Sequence, residues 1–276
     1  MSYDQYSPSG FRLLPPVVKN LLIINGLMYL GQITLENVWK IDPTALLGLH
    51  YFGSDLFQPY QFVTYMFLHG SFSHVFLNMF ALWMFGYLLE NVWGPRRFLT
   101  FYMVTGIGAG FVQIAVSWWD ISSMQAAAMA FSEQPTVDGF VVFVKKYFPF
   151  YYEQHDMIRG LISQWTLAPA NPELAATSVQ YVNDLIRIRM DVPTIGASGA
   201  VYGILLAFGM MFPNMLVYIY FLFPIKAKWL VILYGAIEIF SGISNNPSDN
   251  VAHFAHLGGM IFGFFMIMYW KKKARL

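Results

Sequence analysis

The sequence predicts an all-α polytopic membrane protein: six transmembrane helices in one bundle, with a long, partly helical extramembrane insertion between spans three and four. Three observations carry this reading. Of 276 residues, 57% are apolar and only 11% charged, where soluble domains are about 25% charged. Mean hydropathy is +0.49. The apolar residues gather in runs near the ~20 residues that cross a hydrocarbon core of ~30 Å. A net charge of +1 gives no reason to expect nucleic acid as a partner. The chain has no cysteine, so disulfides and thiolate metal sites are excluded. The opening MSYDQYSPSGFRLLPP lacks the charged-then-apolar plan of a secretory signal and reads as the start of the mature chain.

The spans follow in order. The first runs from Val17 to about Thr34, the second from His74 to about Leu89 and the third from Phe98 to about Trp118. The fourth runs from Ser198 to Phe212, the fifth from about Ile225 to Ile243 and the sixth from Val251 to Trp270. Lys and Arg mark cytoplasmic loops. Arg12 and Lys19, Arg96 and Arg97, Lys226 and Lys228, and the terminal KKKAR all fall on one side of a six-span arrangement. The 1–2 loop beyond Lys40 and the 5–6 loop SGISNNPSDN have neither residue type. Both termini are therefore expected inside, with residues 1–14 and 271–276 as short cytoplasmic tails around a catalytic-size domain over 15–270.

Residues 119–193 are too polar to span and too long for a turn. The aromatic and basic stretch FVVFVKKYFPFYY (140–152) suits a membrane interface. Asn171 and Pro172 are an N-cap and first-turn proline. Leu174, Val179, Val182 and Ile186 then fall near one face, predicting an amphipathic helix on or near the outer surface.

Polar groups inside a membrane are expensive and tend to be functional or paired. Three clusters lie toward the outer ends of their spans. Ser198 opens a helix that stops at Pro213, giving a rise of only about 24 Å at ~1.5 Å per residue, so it starts below the outer surface. Tyr202 shares its face, and GASGAVYG also reads as a small-residue packing surface through Gly199 and Gly203. His256, Gly259 and Gly263 share one face of the sixth span, a histidine above a glycine groove; His253 precedes them. His74 and Asn78 project together at i, i+4 from HGSFSHVFLN, as oxyanion donors or as interhelical hydrogen bonds. Ser73 reads as the cap of that helix and Ser71 as loop.

Jointly the clusters supply a serine, a base and oxygen-facing donors from three spans. No carboxylate is evident at the matching depth to orient His256: Glu90 lies near the inner end of span two, and Glu238 lies within span five without an assigned role. The expectation is a Ser-His dyad with Tyr202 as the surface that fixes the ring.

These residues resemble the rhomboid family of intramembrane serine proteases, on GASG around Ser198, AHLGG around His256 and HGSFSHVFLN at span two. The resemblance implies Ser198 as nucleophile and His256 as general base. It implies His74, Asn78 and the Ser198 N–H as the oxyanion site, and Tyr202 as the ring stacked on the histidine. His69, Gly199 and Gly259 fall at supporting motif positions. Span five and the 5–6 loop correspond to the family's lateral gate and cap. Implied partners are transmembrane protein substrates and membrane lipids, with no cofactor, and the implied location is the plasma membrane of a bacterium. Two departures stand out. Tyr60-Gln61 occupies the place of a common Trp-Arg pair, which leaves the anchoring of that loop open, and the 3–4 insertion is much longer than the minimal core needs.

Rival readings make different predictions. A proton- or metal-coupled transporter would thread polar groups through the membrane and show an inverted repeat. A zinc protease would carry H-E-x-x-H, and His253 and His256 have no acidic neighbour in register. A catalytically inactive rhomboid-like protein would bind membrane clients without cleaving them.

Overall fold

The computed structural model describes residues 11–219, 222–244 and 251–273. Its helices are α1 (Pro16–Thr34), α2 (Pro43–Leu47), α3 (Gln61–Thr64), α4 (Phe72–Trp93), α5 (Pro95–Glu133) and α6 (Val137–Tyr147). There follow α7 (Pro149–Gln154), α8 (Asp156–Leu167), α9 (Pro172–Asp191), α10 (Ser198–Met211), α11 (Ala227–Ser244) and α12 (His253–Lys273). Among the described residues, α1 with the π-helical turn Leu35–Trp39 behind it, α4, α5, α11 and α12 are long and apolar enough to cross a membrane. α10 is apolar but has 14 residues, about 21 Å at ~1.5 Å each.

α10 is the axis of the bundle, packed against α4, α5, α11 and α12. Its Val201, Ile204, Leu205, Ala207 and Phe208 are buried in one apolar cluster with Leu82 and Phe85 of α4, Phe98 and Phe101 of α5, and Leu230 of α11. α1 leans on α4. Pro15 precedes α1 and has no capping hydroxyl, so Glu90 of α4 supplies the cap from across the bundle. Its carboxylate accepts the Val17 and Val18 N–H groups at 2.9 and 2.8 Å, meeting two of the four orphan donors of a helix start.

The insertion is rooted on α5. Its 39 residues span roughly 58 Å at ~1.5 Å each, nearly twice a ~30 Å hydrocarbon core. The third span therefore continues past Trp118 as unbroken helix, and the far turns of α5 pack with α6, α8 and α9 around a second apolar cluster. Asn171 caps α9 through the Glu173 N–H at 2.9 Å, and Val182, Leu185 and Ile186 of α9 are buried in that cluster. Of the aromatic residues in the stretch expected at a membrane interface, Phe140, Phe143 and Phe148 are buried, Tyr147, Tyr151 and Tyr152 are half-buried and Phe150 is exposed. Ser54 donates to Asp191 at 2.6 Å and Leu49 bridges Thr194, tying the insertion to the first loop.

A short hairpin follows α10 that the sequence pattern does not predict. β1 (Leu216–Ile219) pairs antiparallel with β2 (Phe223–Lys226), and it moves the start of the fifth helix from Ile225 to Ala227. The apolar stretch around it has no alternation that would mark a strand. Of the 5–6 loop, residues 245–250 lie outside the described residues, as do 1–10 and 274–276 of the tails.

Candidate active site

Ser198 is the first residue of α10. Gly196 delivers it: its φ of +124° is a conformation L side chains rarely adopt. A Cβ there would also sit 2.9 Å from Nε2 of His74 and 3.6 Å from the Ser198 hydroxyl. Only glycine lets the backbone pass between these groups, and sequence reading, which stopped at the Gly-Ala-Ser-Gly box, gave Gly196 no weight of its own.

α12 brings His256 to Ser198 across a seam without side chains. A Cβ on Gly259 would lie 1.8 Å from the Gly199 carbonyl oxygen, and one on Gly263 3.5 Å from Gly203 Cα. The expected glycine faces thus meet each other. At the head of the seam, His256 Nε2 stands 2.7 Å from Ser198 Oγ, and the Tyr202 ring stacks on the imidazole at 4.2 Å and 7°.

The expectation that no carboxylate reaches this depth is corrected by the structure. Glu238 of α11 is 4% exposed. Its Oε2 lies 2.9 Å from His256 Nδ1 and 2.6 Å from His253 Nδ1, and its Oε1 accepts the Tyr202 hydroxyl. His253 and His256 therefore do have an acidic neighbour, supplied by another helix. A spacing search within one helix misses it. The signal was nonetheless present, because an ionisable residue inside an apolar span is a site candidate by default.

The second span carries His74 and Asn78 on α4, with one change of cap. Ser71, not Ser73, caps α4, accepting the His74 N–H at 3.1 Å; Ser73 reaches only the Ser71 hydroxyl, at 3.0 Å. Extended backbone at residue 71 (φ −162°) is what an N-cap requires. The Gly70 N–H points at His74 Nδ1 at 3.4 Å. That leaves Nε2, the nitrogen nearest Gly196, to carry the ring proton. His69 is fully buried and packs edge-on against His74 at 5.0 Å between ring centres. Asn78 is buried one turn along, and its amide donates to the His74 carbonyl at 3.0 Å. An amide has a second N–H.

Gln61 settles how the first loop is anchored. It is fully buried. Nε2 donates to the Leu46 and Leu56 carbonyls at 3.1 and 2.9 Å, and Oε1 faces the His50 and Gln58 N–H groups at 3.3 and 3.0 Å. A neutral amide thus supplies the polar anchor. A cavity of about 1030 Å³ between this loop and the insertion, lined by Ser54, Gln125, Glu133, Arg187 and Asp191, shares no residue with the serine cluster.

Comparison with known proteins gives the chain a family. The Rhomboid domain profile matches residues 56–129 and 146–273, and the unmatched stretch falls at the end of α5 and in α6, where the insertion begins. Rhomboid-like protein 11, chloroplastic, of Arabidopsis thaliana is 36% identical over 72 residues, which is 26% of this chain and 26% of that relative. The aligned stretch thus spans about a quarter of the relative's length. With the profile covering most of the sequence, including Ser198, His256, Glu238, His74 and Asn78, the chain belongs to the rhomboid family.

Proposed function

We propose that the protein is an intramembrane serine endopeptidase that cleaves transmembrane segments of other membrane proteins near their outer ends. The observation that carries this is the 2.7 Å contact between Ser198 Oγ and His256 Nε2 at the head of a short membrane helix. A serine hydroxyl is a weak nucleophile until a base is placed on it. Ser198 Oγ attacks the scissile carbonyl as its proton passes to His256 Nε2. The developing oxyanion meets the His74 Nε2–H, the free Asn78 N–H and the Ser198 backbone N–H, which has no partner in the first turn. His256 then protonates the leaving amine. A water that gives its proton to Nε2 resolves the acyl-enzyme and restores Ser198.

The topology that goes with this is six spans, α10 included, with both termini cytoplasmic. Ser198 then lies below the outer surface, where a 14-residue helix leaves room for water above it. Substrates are other transmembrane proteins, reaching the site from surrounding lipid.

The test is fluorophosphonate labelling of the detergent-solubilised protein beside Ser198→Ala and His256→Ala. Wild type is expected to label at Ser198 and both variants to lose the signal. Folded wild type that takes no label would point instead to a client-binding rhomboid-like protein.

A further inference from the structure

We infer that Glu238 is a positioning residue: it selects the tautomer and orientation of His256, making the reacting unit a Ser-His-Glu triad in place of a dyad. This rests on the peptidase reading of Ser198. The Oε2 atom of Glu238 faces two imidazole Nδ1 atoms at once, at 2.9 Å from His256 and 2.6 Å from His253. An ionised carboxylate only accepts hydrogen bonds, so both Nδ1 atoms carry protons. On His256 that leaves Nε2 with its lone pair, aimed at the Ser198 hydroxyl 2.7 Å away. The opposite tautomer would present an N–H to the serine and could take no proton from it. Which ring nitrogen is protonated is set by the bond the other one makes.

The carboxylate is itself held. Tyr202 donates to Oε1 while its ring covers the His256 imidazole, so one side chain fixes both partners of the His256–Glu238 bond. His253, one turn before His256 on the same helix, takes a further position on Oε2. During attack the proton from Ser198 Oγ goes to Nε2, and the Nδ1 proton stays on the ring. Glu238 stays ionised and faces the imidazolium.

Glu238, His253 and His256 each bring one ligand atom within 4.8 Å of the others, a set that divalent zinc accepts. The spacing favours protons. Donors around tetrahedral zinc with bonds of ~2.0–2.1 Å stand ~3.3 Å apart, whereas Oε2 is 2.6 and 2.9 Å from the two nitrogens.

The experiment is ¹⁵N NMR of the full chain with labelled histidine in detergent, His256 assigned by its loss in His256→Asn, read with fluorophosphonate labelling rates. Wild type should show His256 as the neutral Nδ1–H tautomer, unchanged by chelator. Glu238→Gln should shift the ring toward the Nε2–H form and slow labelling by up to about 10⁴-fold, the loss seen when the orienting acid of a serine triad becomes its amide. Probe half-saturation should stay unchanged, and Glu238→Asp should recover part of the rate. Tyr202→Phe, which leaves the carboxylate in place, should keep the tautomer and slow labelling less, and it serves if Glu238→Gln does not fold. Wild-type ring signals and rate in Glu238→Gln would overturn the inference, as would ring signals in wild type that move on chelation. A ring that depends on Glu238 in a wild type that takes no label would retain the positioning and remove the peptidase reading.

Discussion

The bundle around α10 and the insertion on α5 bury their side chains by different rules. In the bundle, His256, Glu238, Asn78, His69 and Thr105 are buried, while Trp229, Ile232, Phe240 and Ile243 of α11 face outward. In the insertion, Phe140, Phe143, Ile158 and Trp165 fill the interior, and the Asp156–Arg159 pair is exposed. Hydrocarbon outside the bundle removes the hydrophobic drive between helices, so close backbone contact and polar contacts must select their arrangement. In the insertion, large aromatic and aliphatic side chains make the buried contacts. Buried polar groups are expensive in hydrocarbon, and those around Ser198 are paired with one another: Ser198 with His256, His256 and His253 with Glu238, and Glu238 with Tyr202.

The largest expected effect tests whether the two regions are energetically separate. Phe140 is fully buried and packs against Phe131 at 6.2 Å. Phe140→Ala should cost about 3–5 kcal/mol of the insertion's local stability. Hydrogen exchange should speed up in α6, α8 and α9, and exchange in α10 and α12 and labelling of Ser198 should hold at wild-type values. Labelling that collapses together with the insertion would make the two regions one cooperative unit.

The converse substitution is next in size. Gly259→Ala places a methyl 1.8 Å from the Gly199 carbonyl oxygen, so α10 and α12 must part. Misplacing reacting groups by about 1 Å costs on the order of 10²-fold in rate, and Ser198 labelling should fall by about that factor with helix content kept. An unchanged rate would mean that the seam has slack and that His256 is held by Glu238 and Tyr202 alone.

How much of this was legible follows from the periods involved. The helices of the bundle announce themselves by length and apolarity, and the glycine face of α12 by its i, i+3, i+7 spacing. Asn171 announced α9 by its cap. Ser198, His256, His74 and Tyr202 were legible as members of small motifs within single helices. Glu238 was legible only as an ionisable residue inside an apolar span; its role was not, because its partners lie on α10 and α12 and nothing in the spacing of α11 refers to them. Gly196 needed a backbone angle, and the β1–β2 hairpin needed an alternation its apolar residues do not have. The second core of the insertion was not visible: the spacing marks an amphipathic face on α9, expected on or near the outer surface, and nothing in it names Phe140 and Phe143 as the partners of that face.

The smallest effect concerns the loop between the two regions. Gln61 meets four backbone groups, the carbonyls of Leu46 and Leu56 and the N–H groups of His50 and Gln58. Leucine has nearly the same volume and none of these contacts. Gln61→Leu should therefore lower thermal stability by about 1–3 kcal/mol, the range for leaving buried polar groups unmet. Gln61→Glu, which keeps the acceptor and loses both donors, should fall at least as far because it also buries a charge beside two carbonyl oxygens. Ser198 labelling should persist in both, since no atom of Gln61 touches the serine cluster. If Gln61→Leu is neutral, the loop is held instead by Thr64 Oγ on the Leu47 carbonyl at 2.6 Å and Tyr60 on Leu46 at 3.2 Å. The buried amide would then be a spectator in a region where polar contacts are otherwise expected to decide the arrangement.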